Sequence, residues 1–220
     1  MSTIQAPAVA RRDGRHPEHP LVVVNDDGIQ YEGGLRADQL DPLYDVLWEM
    51  WDGPTDGLPV FGEFDAEVQR EAAGRRLCAY CLKRPEIEPG AGALWLLHAD
   101  PGAWPWPATI ETTTPTICRK HAKLALERCA TLRRGYLAVR VREVEPIGVI
   151  GTLYTDGGPA GPDERVLFTD TSRLPFVLAR YLLLQLRDAV PDSVLHPPQI
   201  PAPRAAAAGA SCPRGIRGTS

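Results

Sequence analysis

Cys78-Ala79-Tyr80-Cys81 and Cys118-Arg119-Lys120-His121 stand 36 residues apart, and the fold is decided by how these two short stretches are read. Each carries two soft or borderline ligands at i and i+3, a spacing at which a tight turn or the first turn of a helix aims both ligand atoms at one ion. Four such ligands complete a tetrahedral Zn²⁺ and leave no coordination position for a substrate, so the metal reads as structural. Cys129 is excluded from the set. On a continuous helix it lies eleven residues beyond Cys118, about 16 Å away at 1.5 Å per residue, and is assigned to core packing.

Working outward, 64–76 predicts a helix through Ala66, Val68, Ala72 and Ala73 that leads into the first pair. Leu94 to Leu97 predicts a strand, 101–107 a rigid loop containing Trp104 and Trp106, and Ala122 to Leu132 a helix. Helix, C-x2-C turn, strand, then C-x2-H opening a second helix is the order of elements in a treble-clef zinc finger. Beyond it, segments beginning at Tyr136, Ile147 and Val166 predict a three-stranded antiparallel meander. Ser172 and Pro175 then predict the start of a helix with Phe176, Val177, Tyr181, Leu182, Leu184 and Leu186 on its apolar face. On the amino-terminal side, Leu21 to Val24 stops at Asn25-Asp26-Asp27-Gly28, which predicts a hairpin. Val46-Leu47-Trp48 fits helix and strand equally.

The expected fold is α+β: a small zinc-stapled, treble-clef-like module packed with an antiparallel β meander and a C-terminal helix. Residues 21–190 are expected to form a single domain with the zinc module at about 75–135, between a disordered arm over 1–20 and a disordered tail over 191–220. At 220 residues and 44% hydrophobic, the chain can bury one ordinary core, and 22 prolines with 20 glycines point to short elements. No apolar run near the N-terminus suits a signal peptide. The most apolar stretch, 174–186, is too short to span a bilayer and contains Arg180. Five cysteines, an odd number, suit a metal site in a reducing cytoplasm better than a disulfide framework. Cys212, His16, His19 and His196 are read as solvated.

Charge is unevenly spread. Residues 1–74 hold 15 acidic against 5 basic side chains, residues 75–142 hold 12 basic against 5 acidic, and the rest is near neutral. The basic excess falls on the presumed metal module and suits phosphate, or the acidic N-terminal region of the same chain.

The motifs G-I-Q-Y at 28–31, V-L-W at 46–48, P-V-F-G at 59–62, R-R-L-C-A-Y-C at 75–81 and L-W-L-L at 94–97 resemble an uncharacterised family of actinobacterial, often phage-related proteins. P-T-I-C-R-K-H at 115–121, L-R-R-G-Y at 132–136 and G-T-L-Y at 151–154 extend that likeness. In the family the second pair is C-x2-C, so His121 stands in for a cysteine. A weaker likeness is to HNH nucleases, with His98 in L-L-H-A-D-P at the first catalytic histidine. Leu97 replaces the acidic residue expected before it, however, and no Asn lies between Cys81 and Cys118. The N-D-D-G of Asp26 and Asp27 is similar to the metal-binding opening of stationary-phase survival nucleotidases, but the rest of that pattern is missing and a hairpin turn is the better reading.

The expectation is thus a non-enzymatic, zinc-stabilised binding or regulatory protein that contacts nucleic acid through Arg119, Lys120, Lys123, Arg128, Arg133 and Arg134. A protein-protein adaptor and a degenerate or active HNH-like nuclease are the alternatives. No membrane and no small-molecule substrate is indicated.

Overall fold

Residues 6–18, 20–34, 40–41, 43–99 and 109–195 are described by the computed structural model. The first half of the chain gives β1 (Ala10–Arg12), β2 (His16–Pro17), β3 (Val22–Asn25), β4 (Gly28–Tyr31), β5 (Leu40–Asp41), β6 (Val46–Trp48), β7 (Trp51–Asp52), β8 (Pro59–Phe64) and α1 (Ala66–Gly74). The second half gives β9 (Ala93–His98), β10 (Ile110–Thr112), α2 (Arg119–Arg128), α3 (Ala130–Arg134), β11 (Tyr136–Val141), β12 (Glu143–Thr155), β13 (Gly158–Leu167), β14 (Val177–Arg187) and β15 (Val190–Pro191). The result is mixed α+β, mostly antiparallel strands with few helices. Among the described residues, no helix is long and apolar enough to cross a membrane.

The larger sheet runs β13-β12-β14-β6-β5, and β13 forms its edge. A smaller sheet, β15-β11-β9, lies against it. Because side chains alternate across a strand, β9 and β11 present two different faces. Trp95, Leu97, Leu137, Val139 and Val141 point into the main core with Val149, Val166, Val177, Leu184 and Leu186 of the large sheet. Leu94, Leu96 and Ala138, on the opposite face, pack with Cys78, Cys118, Ile117, Ala122 and Ala125. The apolar run of β9 is therefore a wall with a core on each side, and the second core carries the two ligand pairs.

Strand β14 is the axis of the large sheet. One edge pairs with β12. The other meets β6 in parallel at Leu178 and Ala179 and β10 antiparallel at Leu184 to Leu186. Between those two partners the ladder would be open, and a side chain closes it. Gln69 of α1, 0% exposed, donates from Nε2 to the carbonyls of Leu182 (3.1 Å) and Thr113 (2.6 Å), while its Oε1 accepts from Leu182 N (3.0 Å). The amide mimics a peptide group of a missing strand. Asp65 caps α1, accepting from the backbone N–H groups of Glu67 and Val68. Such a cap is worth about 1 kcal/mol.

Several expectations need correcting. The stretch expected to be a C-terminal helix is β14 after a 3₁₀ turn over Leu174–Phe176, and Ser172 bonds Asp170 rather than capping a helix. The three-stranded meander reduces to β12 with β13, because β11 pairs with β9 and β15 in the other sheet. Helix 122–132 begins earlier, at Arg119, and breaks at Cys129, whose extended backbone separates α2 from α3. Part of the expected disordered arm is built into the fold: β1 pairs with β8, Val9 is buried, and the buried Arg15 guanidinium pairs with Asp65 at 2.8 Å and with Glu67. The expected tail begins with β15, and its remainder from 196 lies outside the described residues, as does the 101–107 loop. The helix before the first pair, the strand at β9 and the hairpin β3–β4 with Asp26 and Asp27 at its exposed turn are as expected.

Candidate metal centre

The first ligand pair sits on a turn closed by backbone hydrogen bonds. Cys78 N donates to Lys83 O (2.8 Å), Leu82 N donates to Cys78 O (2.9 Å), and Leu82 takes the left-handed conformation with φ 52° that this tight reversal demands. The second pair belongs to α2. Cys118 occupies the N-cap position with extended backbone (φ −67°, ψ 147°), and its carbonyl receives the N–H groups of His121 and Ala122. One helical turn separates Cys118 from His121, which brings both to the same end of α2.

These two local structures face one another across the second core. Ligand atoms of Cys78, Cys81, Cys118 and His121 all lie within 4.8 Å of each other. Cys78 Sγ is 3.4 Å from His121 Nδ1, and Cys81 Sγ is 3.9 Å from Cys118 Sγ. Three of the four residues are buried and Cys81 is half-buried. The four side chains anticipated from the spacing are thus brought together, and they could hold a metal ion.

The surroundings orient the four side chains. Cys78 Sγ accepts from the backbone N–H groups of Tyr80 (3.4 Å) and Cys118 (3.3 Å), bonds that stabilise a thiolate and fix its direction. Tyr80 stacks on the His121 ring at 5.3 Å, restricting its rotation. Burial, reinforced by the neighbouring Lys120 charge, pulls His121 below the ordinary imidazole range and keeps it neutral, the form that donates a lone pair to a metal. Without a cation, burial and the adjoining Cys78 and Cys81 push the Cys118 thiol far up. A divalent ion reverses that logic, because its charge offsets the mutual repulsion of the thiolates.

Next to the cluster, Arg119 and Arg140 converge on Asp192 and Glu88. Arg140 Nε lies 2.7 Å from Asp192 Oδ2 and 3.4 Å from a Glu88 oxygen. Arg119 lies 3.1 Å from Glu88 and 3.5 Å from Asp192. Asp192 also accepts from the backbone N–H groups of Val194 (3.0 Å) and Leu195 (2.9 Å). Burial works against its charge, but the Arg140 bond and these backbone donors prevail and hold the carboxyl below the ordinary aspartate range. Sequence reasoning missed this network. Asp192 fell in the stretch read as tail, and nothing in the sequence around Arg140 signals that it is only 4% exposed.

Of the six basic residues expected to form a phosphate-contacting face, Arg119 is committed to Glu88 and Asp192. Lys120, Lys123, Arg128, Arg133 and Arg134 are exposed along α2 and α3. His98 is exposed at the end of β9, and Leu97, where an HNH nuclease carries its acid, is buried in the main core. Cys129 is half-buried and stands outside the four-ligand cluster, as expected.

No protein-family model matches this chain, and no curated protein or solved structure shows a significant match to it.

Proposed function

We propose that Cys78, Cys81, Cys118 and His121 hold one structural Zn²⁺, and that the module so formed is a non-enzymatic platform whose exposed α2–α3 face contacts the phosphates of nucleic acid. The observation that carries the zinc reading is the spacing of the ligand atoms. Tetrahedral bonds of about 2.3 Å to sulfur and about 2.0 Å to nitrogen put neighbouring sulfurs about 3.8 Å apart and a sulfur and nitrogen about 3.5 Å apart. The observed 3.9 Å and 3.4 Å fall close to those values. Three sulfurs with one imidazole suit Zn²⁺ better than a hard cation, and a complete protein ligand set assigns the ion a folding role. The order of a turn bearing Cys78 and Cys81, strand β9 and then the start of α2 supports a treble-clef-like reading of the module.

Support for a phosphate partner is the row of five exposed cations, Lys120, Lys123, Arg128, Arg133 and Arg134, on two consecutive helices with Glu127 as the single acid between 119 and 134. Metal content of the purified chain tests the first half, with one zinc per chain expected. Retention on duplex DNA at low salt tests the second, and it should weaken steeply as salt rises and vanish on R133E/R134E substitution while zinc content is unchanged. A wild-type chain that is not retained at low salt would remove the nucleic-acid reading and leave the zinc reading intact.

A further inference from the structure

We propose that occupancy of the metal site governs the docking of residues 190–195, so that loss of the ion frees this segment while the two-sheet core stays folded. The inference rests on the zinc reading above and assigns that site a regulatory consequence. Strand β15 pairs with β11 at Val139 and Arg140, one further backbone bond runs from Asp192 N to Ala138 O (2.9 Å), and Val190 is 44% exposed, so the ladder is short. What holds the segment lies just beyond it. Leu195 is buried in the same apolar cluster as Cys78, Cys118, Ile117 and Ala122, and its carbonyl accepts the Tyr136 hydroxyl at 2.7 Å. The Asp192 carboxylate receives Arg140 and is approached by Arg119, the residue directly after the ligand Cys118.

The apolar seat of Leu195 and the Arg119 contact therefore depend on where the knuckle at 78–83 and the start of α2 stand relative to each other, while the Arg140 and Tyr136 contacts run to β11. Knuckle and helix start are the two pieces the ion would tie together. Without it, the ties left between knuckle and helix start are hydrogen bonds, from Cys118 N to Cys78 Sγ (3.3 Å), Ala79 N to Thr116 O (2.8 Å) and the Thr116 hydroxyl to Leu77 O (2.8 Å), and the ligand end of the module loosens. That removes the floor beneath Leu195 and withdraws Arg119 from Asp192. The main core shares no residue with this cluster: its contacts run through Trp95, Val139, Val149, Leu184 and Leu186, and β14 is independently pinned by Gln69. Local opening without global unfolding is the ordinary behaviour of a satellite cluster so arranged.

Hydrogen exchange of the full-length, zinc-loaded chain, followed before and after chelation with metal content measured in parallel, tests this. Peptides covering 190–195 should exchange at least tenfold faster after chelation, while those covering β12 and β14 keep their protection, and added Zn²⁺ should restore the first set. By reciprocity, L195A in the zinc-loaded chain should weaken zinc affinity severalfold with β14 still protected. One zinc per chain whose complete removal leaves 190–195 protected overturns this inference alone. Simultaneous loss of protection in β14 also overturns it, since the segment would then report only unfolding. A chain that binds no zinc overturns both proposals.

Discussion

Replacing Gln69 with methionine isolates the stand-in for a missing strand, because the two side chains have similar length and the change leaves little cavity. Three backbone groups lose their partner: the carbonyls of Thr113 and Leu182 and the N–H of Leu182. An orphaned buried polar group costs about 1 to 3 kcal/mol. Carbonyls, with two lone pairs, tolerate the loss better than an N–H does. Taking about 1 kcal/mol for each carbonyl and about 2 for the N–H gives about 4 kcal/mol, a large part of the 5–15 kcal/mol typical of a domain. With a urea m-value of about 2 kcal/mol per molar, the unfolding midpoint should fall by about 2 M. Gln69→Glu adds a second reading. Its carboxylate would face two carbonyl oxygens, so the native state favours the protonated acid and its pKa rises above the unfolded value of about 4.3. Stability of the Glu variant relative to the Met variant should therefore increase as pH falls from above that raised value toward about 4.3. A midpoint shift under about 0.5 M for Gln69→Met would show that the three groups find other partners, and the account of the gap beside β14 would be wrong.

Two more outcomes are expected. Asp192 has a lowered native pKa, so the stability it contributes is fully present above the unfolded aspartate value of about 3.9 and is lost as pH falls through the lower native value. Carboxyl NMR should find it titrating below about 3.9 and moving up in Arg140→Leu, and a wild-type titration above 4 contradicts the network. His121→Cys should retain one metal per chain, since zinc accepts four thiolates as readily as three with an imidazole. A Co²⁺-loaded variant should gain sulfur-to-metal charge-transfer intensity over the wild type, and loss of metal binding would show that the imidazole contributes more than a lone pair.

The cluster of Cys78, Cys81, Cys118 and His121 was legible because its members are local pairs of unusual residue types, so spacing alone carried them. What spacing could not supply was the wall that brings the pairs together. Leu94, Trp95, Leu96 and Leu97 read as a strand without revealing that two cores divide them. The misreading of β14 has a physical cause. Its core-facing residues are Val177 and Ala179, then Leu182, Leu184 and Leu186, because the register slips by one residue at Arg180. That bulge turns a period of two into a pattern that mimics a helix face, and the run of leucines adds helix propensity. The slip in β12 at Ile147, opposite the same strand, is signalled by Pro146, which reads in the sequence as a break between two segments and is in the fold a bulge within one strand. Arg142 separates β11 from β12 without a turn residue, so adjacency in the chain suggested pairing where the two strands enter different sheets. Arg15, Gln69 and Asp192 escaped for a common reason: each is a single polar residue whose burial depends on a distant partner.

The outer strand β13 has a quieter consequence. A sheet that ends in a straight row of unsatisfied donors and acceptors invites another molecule to continue it. Here the terminal strand carries Pro159 and Pro162, which have no N–H to offer, the left-handed Asp163, and the charged run Asp163-Glu164-Arg165, and its ladder to β12 is irregular near Gly151 and Leu153. Copies of this chain meeting side by side find no template there, so the long central strands stay confined to their own molecule instead of seeding fibres.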